Sequence, residues 1–293
     1  MRRRRVPAHG LSLAISEWGE LGAPLVLMLH GFQDVGASFD DVAEVLATRG
    51  HHVVAPDLRG FGDSDRVAPG GWYYFPDYVF DVVELVDSLS PDASVALVGH
   101  SMGGTIAGLV AGTIPARIRK LALIEGVGPP SMSDDHAVDR MIHFIEGVRR
   151  ARTRNEKLMS REDALARLAI SHPTVEKHVL ARRAEQLTRP SSIGGDGLVW
   201  AFDPLHRARS PFEFKVERWR SFARRITADT LCIGGGPTGF HPDDEAERIA
   251  SIPAARSCDI DGAGHMVHWT RASALAEVLA SFLSAEPLSA YGP

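Results

Sequence analysis

The chain has 293 residues, of which 44% are hydrophobic and 24% are charged, and its formal net charge at pH 7 is −5. This composition is typical of a globular protein with a sizeable core, and it excludes a disordered or fibrous chain. The negative net charge argues against nucleic acid as a partner, since nucleic-acid binding needs a basic surface. No stretch approaches the roughly 20 apolar residues of a membrane-spanning helix, so we expect no membrane association.

The first predicted elements form a hairpin. Residues 6–8 and 11–18 have strand character and flank a His-Gly pair, which places the turn at Gly10. The arginine-rich start of the chain is similar to the beginning of an export signal. Pro7 and His9 interrupt the apolar stretch that such a signal needs, so we expect no export.

A regular alternation of strands and helices follows the hairpin. Continuous apolar runs, as expected for strands buried on both faces, alternate with helical patterns. The predicted strands are residues 25–29, 52–55, 95–98 and 118–124, and the predicted helices are residues 39–48, 78–89 and 102–113. This order implies a mostly parallel sheet with right-handed crossovers.

The alternation stops after residue 129 and resumes near residue 226. The segment between these points has predicted helices at residues 140–150 and 161–170, a predicted loop at residues 190–197, and no convincing buried strand. The alternation then resumes with strands at residues 230–233 and 257–260 and helices at residues 243–250 and 272–283. The fold class is therefore α/β, with a core domain of residues 1–129 and 226–293 and a helical lid of residues 130–225.

The predicted lid also differs from the core in charge. Residues 130–225 contain 19 Lys and Arg against 13 Asp and Glu, whereas the rest of the chain contains 13 against 24. The lid arginines either dock onto an acidic core or attract an anionic substrate. The two cysteines, Cys232 and Cys258, lie in short apolar runs, so we expect reduced, buried thiols and a cytoplasmic location.

The strongest functional signal is Gly-His-Ser-Met-Gly at residues 99–103, between a predicted strand and a predicted helix. The pattern G-x-S-x-G is specific only at such a turn, which holds the serine hydroxyl clear of the sheet. The turn is so tight that side chains at Gly99 and Gly103 would clash. The N–H groups that begin the helix stabilise negative charge near Ser101. We therefore predict that Ser101 is a nucleophile.

With this turn the chain resembles the α/β-hydrolase superfamily, in particular its lidded serine hydrolases. The matching motifs cover both ends of the chain but not the insertion. They are His-Gly-Phe at residues 30–32, Asp-Leu-Arg-Gly-Phe-Gly-Asp-Ser at residues 57–64, the turn around Ser101, and Gly-Ala-Gly-His at residues 262–265. The resemblance implies the α/β-hydrolase fold and hydrolysis of a carbonyl compound through an acyl-enzyme. It also implies an oxyanion hole formed by the backbone N–H groups of Phe32 and Met102.

A serine nucleophile needs an imidazole that removes its proton, and the imidazole needs an acid. We assign His265 as the base, because it lies in a Gly-rich loop after the last predicted strand, where the superfamily delivers its base. The acid departs from the family pattern, since Thr238 stands where an aspartate is expected. Some relatives, haloalkane dehalogenases among them, supply the acid from the strand after the nucleophile helix. We therefore predict Glu125 as the acid, with Asp243 or Asp244 as the alternative.

Four further residues are predicted to bind substrate: His30, Trp200, Phe202 and His268. Trp200 and Phe202 lie in the stretch that crosses the pocket mouth in lidded relatives, although they could equally pack the lid onto the core. His30 could instead be structural, and His268 could begin the final helix. No pair of histidines with a carboxylate stands at metal-ligand spacing, so we predict no metal and no cofactor.

These observations predict a serine hydrolase that cleaves a small carboxylic ester, thioester or lactone. The only expected partner is a small-molecule substrate, and the protein is either a monomer or a homodimer. Hydrolysis of a carbon–carbon bond in a diketone stays open, because it uses the same triad and a similar lid. A ligand receptor that keeps the fold but turns over very slowly is a third alternative.

Overall fold

The computed structural model describes residues 1–153, 157–191 and 196–284. Its centre is a sheet of eight strands. They are β1 (Arg2–Ala8), β2 (Leu11–Trp18), β3 (Leu25–Leu29), β4 (His52–Pro56), β5 (Val95–His100), β6 (Ile118–Ile124), β9 (Asp229–Gly234) and β10 (Arg256–Asp259). Their order across the sheet is β1-β2-β4-β3-β5-β6-β9-β10. Strand β2 pairs antiparallel with β1 and β4, and all other pairs are parallel, so the predicted α/β-hydrolase sheet is confirmed.

Helices cover both faces of this sheet. They are α1 (Asp40–Thr48), α2 (Phe75–Leu89), α3 (Met102–Thr113), α7 (Val216–Ala223), α8 (Glu245–Ala250), α9 (Val267–Thr270) and α10 (Ala272–Ser284). Helices α1 and α10 pack on one face, and α2, α3 and α7 pack on the other. Alternate residues of a strand point to opposite faces, so Leu97 joins one core cluster and Val98 the other.

The hairpin at the start of the chain is confirmed, but β1 begins at Arg2 and not near residue 6. Four successive arginines have little intrinsic strand preference, and acidic partners compensate for their charge. Arg4 lies 2.9 Å from a carboxylate oxygen of Glu17 on β2, and Arg3 lies 2.9 Å from Asp57. The arginine run thus forms the edge strand of the sheet.

The insertion between β6 and β9 contains α4 (Ala137–Thr153), α5 (Arg161–Ser171) and α6 (Lys177–Gln186). Helices α4 and α5 match the predicted helices. The insertion also contains a short antiparallel pair, β7 (Thr188–Pro190) and β8 (Leu198–Trp200), which the sequence did not predict. Three-residue strands are too short to show an alternation of buried and exposed positions. Of the predicted loop at residues 190–197, residues 192–195 lie outside the described residues.

Ion pairs fasten this insertion to the core. Arg183 of α6 is fully buried and lies 3.0 Å from a carboxylate oxygen of Asp40 at the start of α1. Its neighbour Arg182 donates a hydrogen bond of 2.9 Å to Asp41. These contacts fit the docking interpretation of the positively charged insertion. Among the described residues, no helix combines the length and the apolar character needed to cross a membrane.

Candidate active site

The turn from β5 into α3 holds Ser101 in a strained backbone conformation. Its φ and ψ angles are 53° and −117°, in a region that side-chain-bearing residues rarely adopt. Two glycines permit the turn, because a Cβ atom at Gly99 would collide with the backbone of Gly103, and one at Gly103 with the backbone of Leu29. The local sequence therefore places the hydroxyl of Ser101 above the carboxyl edge of the sheet.

A chain of hydrogen bonds runs from this hydroxyl through one imidazole to one carboxylate. The Oγ atom of Ser101 lies 3.0 Å from Nε2 of His265, and Nδ1 of His265 lies 3.1 Å from Oε2 of Glu125. The imidazole thus bridges the hydroxyl and the carboxylate through its two ring nitrogens. In this arrangement the Nδ1 proton is held by the carboxylate, which leaves Nε2 free to take the proton of the hydroxyl.

The backbone also fixes the position of His265. Its loop is tied to the turn after β9, where the N–H of Gly264 donates to the carbonyl of Gly235 at 2.8 Å. The buried His100 donates from Nε2 to the carbonyl oxygen of His265, also at 2.8 Å.

Glu125 follows β6 directly, and its side chain is 1% exposed. It accepts hydrogen bonds from the backbone N–H groups of Gly235 and Phe240 in the loop after β9. Gly239 leaves the space for its carboxylate, because a Cβ atom there would collide with Oε1 of Glu125. Within the described part of the chain, the carboxylate bonded to His265 is therefore that of Glu125. Asp244 instead lies 2.7 Å from the guanidinium of Arg248.

The residues expected to form the oxyanion hole lie beside the hydroxyl. Met102 is the first residue of α3, so its N–H belongs to the unpaired end of the helix. Phe32 lies in the loop after β3, and this loop closely approaches the turn. A Cβ atom at Gly31 would lie 2.8 Å from Nδ1 of His100 and 3.2 Å from Cβ of Ser101.

The hydroxyl opens into a cavity of about 1360 Å³ with mostly apolar walls. Ser101, His265, Glu125, Phe32 and Met102 all line it. Most of the other aromatic side chains that line it come from residues 72–80, from residues 212–214 and from α7. These residues are Trp72, Tyr73, Tyr74, Phe75, Tyr78, Phe80, Phe212, Phe214, Trp219 and Phe222. The dense aromatic runs at residues 72–75 and 212–214 were the available sequence signal for this wall.

The four residues predicted to bind substrate are not among those that line the cavity, and this assignment is corrected. His30 is fully buried and accepts a hydrogen bond from the N–H of Leu58 at 2.9 Å. Phe202 forms an isolated bridge with Phe61, and Trp200 packs between two core clusters. The contacts of these three side chains are with core residues, so His30, Trp200 and Phe202 stabilise the packing of the loops around them.

His268 belongs to a second, fully buried cluster behind the cavity. Its Nε2 atom lies 2.9 Å from Oδ2 of Asp34 and 3.3 Å from Oγ of Ser38. Burial is the largest single influence on Asp34 and opposes its charge. The hydrogen bond and charge of His268, the charge of His30 and the hydrogen bond from the N–H of Val35 together outweigh burial and lower the pKa of Asp34 to about 2. Burial also lowers the pKa of His268 and holds that of His100 well below its usual value.

Asp34, His100 and His268 each offer one potential ligand atom, and these atoms lie within 4.8 Å of one another. The sequence contained no such group at local metal-ligand spacing, because the fold assembles it from three distant segments. Hydrogen bonds already use the carboxylate of Asp34 and one nitrogen of each ring. The cluster therefore links the loop of Phe32 to the loop of His265.

Comparisons with known proteins agree with this architecture. The family model described as alpha/beta hydrolase fold matches residues 24–272. The chain is 30% identical over 270 residues to a 3-hydroxybutyrate-oligomer hydrolase of Cupriavidus necator, with 88% of each chain covered. It is 26% identical to a serine hydrolase-like protein of Danio rerio, with 95% of this chain and 87% of the relative covered.

Solved structures share the whole fold. The thioesterase domain from the curacin biosynthetic pathway superposes with a TM-score of 0.83 at 24% sequence identity, and the match covers 96% of this chain and 99% of that domain. At this identity the likeness concerns the fold alone. The family match, by contrast, spans the elements that position Ser101, Glu125 and His265. The chain therefore belongs to the alpha/beta hydrolase fold family.

Proposed function

We propose that the protein is a serine hydrolase that cleaves a carboxylic ester, thioester or lactone through an acyl-enzyme on Ser101. The observation that carries this proposal is the hydrogen-bonded chain from Ser101 through His265 to Glu125, open to an apolar cavity. The relative from Cupriavidus necator, which is named for hydrolysis of 3-hydroxybutyrate oligomers, supports hydrolytic chemistry.

In the proposed mechanism, Oγ of Ser101 attacks the carbonyl carbon of the substrate while Nε2 of His265 accepts the hydroxyl proton. The carbonyl oxygen becomes an oxyanion, which the N–H groups of Phe32 and Met102 stabilise. When the bond to the leaving group breaks, His265 donates its proton to the leaving oxygen or sulfur. Glu125 stabilises the transient imidazolium from its buried position.

Water completes the cycle by the same route. It loses a proton to His265 and attacks the acyl carbon, and the oxyanion forms again at the same two N–H groups. The bond to Oγ then breaks, Ser101 regains its proton from His265, and the acid leaves. No other group of the protein has to gain or lose a proton, which matches the closed hydrogen-bond chain of the site.

The proposal includes a cap formed by residues 130–225. Met132, Arg140, Ala208, Phe212 and Phe214 of this segment line the cavity. A cover of this kind excludes water and strengthens the electrostatic interactions within the site. The C-terminal part of the segment also belongs to the core packing, since the would-be Cβ atom of Gly108 on α3 lies 3.2 Å from the ring of Trp219 on α7.

Labelling and turnover together test the proposal. A fluorophosphonate should add one label to the protein, and peptide mapping should place that label on Ser101. The labelled enzyme should lose turnover of p-nitrophenyl butyrate. Faster turnover of a ring-fission diketone than of any ester would identify a carbon–carbon bond hydrolase instead. Strong labelling with almost no turnover of either substrate would identify a receptor.

A further inference from the structure

The cavity extends far beyond the space around the hydroxyl. It continues along α3, where Thr105, Leu109 and Thr113 line it in succession. These residues share one face of the helix, because they are four residues apart. At a rise of 1.5 Å per residue they lie roughly 6, 12 and 18 Å along the helix from Ser101. We call this extension the α3 groove.

A second helix forms the opposite wall of the α3 groove. Phe75, Val79 and Val83 of α2 line it at the same spacing of four residues. Helices α2 and α3 each follow a strand of the parallel part of the sheet, so both begin at the carboxyl edge and run away from it. The lining residues of α2 and those of α3 therefore run side by side away from the hydroxyl.

Packing of α7 explains why the groove stays open. Helix α7 sits against the glycine side of α3, where Trp219 contacts Gly108 and Phe222 contacts Gly112. This close approach draws α7 onto one side of α3 and leaves the neighbouring stripe of Thr105, Leu109 and Thr113 facing the groove. Thr105 is buried, Leu109 is half-buried and Thr113 is exposed, so this wall of the groove becomes more exposed with distance from Thr105.

We propose that the α3 groove binds the unbranched acyl chain of a fatty acyl ester or thioester and limits its length. This inference rests on the proposed hydrolase function and names its substrate class. An apolar chain loses no hydrogen bonds between such walls, whereas a polar chain would. The whole cavity of about 1360 Å³ also exceeds the range of about 300–1,000 Å³ that is usual for small ligands.

The position of the base assigns the groove to the acyl chain and not to the alcohol. The leaving oxygen must receive its proton from His265, so the alcohol lies towards His265. Phe240 lines the cavity and contacts His265 in an edge-to-face arrangement, with the two ring centroids 5.9 Å apart. The acyl chain leaves the carbonyl carbon in the other direction, along α3 and α2.

Chain-length profiles test this assignment with tryptophan substitutions at graded distances. The wild type is assayed on p-nitrophenyl butanoate, octanoate, dodecanoate and hexadecanoate, and kcat/KM should rise by up to about fourfold per buried methylene. Leu109→Trp should lower kcat/KM for dodecanoate at least about tenfold and leave butanoate within about twofold. Thr113→Trp should impair hexadecanoate alone. Val83→Trp, from the opposite wall, should repeat the effect of Leu109→Trp.

Ser88→Trp is the matched control, because Ser88 is exposed on α2 and does not line the cavity. Its chain-length profile should match that of the wild type. If Leu109→Trp and Val83→Trp leave the wild-type profile unchanged, the proposal is wrong. If they impair dodecyl acetate and spare the dodecanoate ester, the groove holds the alcohol, and the acyl assignment is overturned.

A binding measurement separates this proposal from the proposed function. Calorimetry with dodecanoate on Ser101→Ala needs no turnover, and adding Leu109→Trp should weaken binding at least about tenfold. Dodecanoate binding with this sensitivity, in a protein that hydrolyses no ester, would refute the proposed function and support the groove. Hydrolysis of butanoate with no dodecanoate binding and no preference for longer chains would refute the groove alone.

Discussion

Two histidines that are three residues apart in the sequence, His265 and His268, each pair with a carboxylate, and the two pairs have different surroundings. The pair of His265 and Glu125 opens into the cavity, and the side chain of His265 is 38% exposed. The pair of His268 and Asp34 is fully buried. Each histidine also lies near a serine hydroxyl, at 3.0 Å for Ser101 and 3.3 Å for Ser38.

The two pairs differ in which ring nitrogens they use. His265 meets the carboxylate through Nδ1 and the hydroxyl through Nε2, so the ring can pass a proton between its two sides. His268 meets both Asp34 and Ser38 through the same Nε2 atom. Its Nδ1 atom is buried without a hydrogen-bond partner among the described residues. The two pairs therefore differ in the geometry around the ring, and of the two only the geometry of His265 suits proton transfer between a serine and a carboxylate-bound imidazole.

The largest expected effect on kcat comes from replacing Glu125 of the pair that opens into the cavity. Glu125→Gln should lower kcat by about 10⁴-fold, since both the tautomer of His265 and the partner of its positive charge are lost. Steady-state kinetics on p-nitrophenyl butyrate measures this effect. Asp244→Asn is the control, because that carboxylate pairs with Arg248, and its kcat should stay within about threefold. The reverse ranking would show that the acid has been wrongly assigned.

The buried pair should show the opposite behaviour. Asp34→Asn should lower the free energy of unfolding by about 2 kcal/mol, because a charged hydrogen bond in the core is replaced by a neutral one. Its kcat should remain within about tenfold of the wild type, since Asp34 does not touch the reacting atoms. Urea unfolding and kinetics on the same preparation provide both numbers. A loss of kcat as large as that of Glu125→Gln would remove the distinction between the pairs.

A smaller effect is expected from pH. The pKa of Asp34 is about 2 in the folded protein, below its unfolded value of about 3.9. The carboxylate therefore contributes stability above pH 4, and this contribution disappears as pH falls from about 4 to about 2. The difference in unfolding free energy between wild type and Asp34→Asn should shrink over that range. A difference that stays constant down to pH 2 would contradict the lowered pKa.

Local sequence rules predicted Ser101, and the resemblance to the α/β-hydrolase superfamily predicted its partners His265 and Glu125. The strand, the G-x-S-x-G turn and the helix are consecutive, so the position of Ser101 follows from short-range geometry. Glu125 could be predicted because Thr238 occupies the usual place of the acid. A further clue lies in Gly239, which leaves room for the carboxylate of Glu125, whereas Gly235 leaves room for the backbone of Gly264.

The buried cluster and the cavity wall could not be predicted in this way. Asp34, His100 and His268 come from three distant segments, and only the folded sheet brings them together. The wall depends on how closely α7 packs against Gly108 and Gly112, which helical periodicity does not indicate. For the same reason Trp200 and Phe202, aromatic residues near a predicted pocket, proved to be packing residues.

In the proposed mechanism Ser101, and not another serine near a histidine, carries the acyl group. The most direct test of this assignment is the kcat/KM of Ser101→Ala and Ser38→Ala on the best ester substrate. Ser101→Ala should lose at least about 10⁴-fold with its fold intact, whereas Ser38→Ala should stay within about tenfold of the wild type. A folded Ser101→Ala enzyme with full activity would show that Ser101 is not the nucleophile.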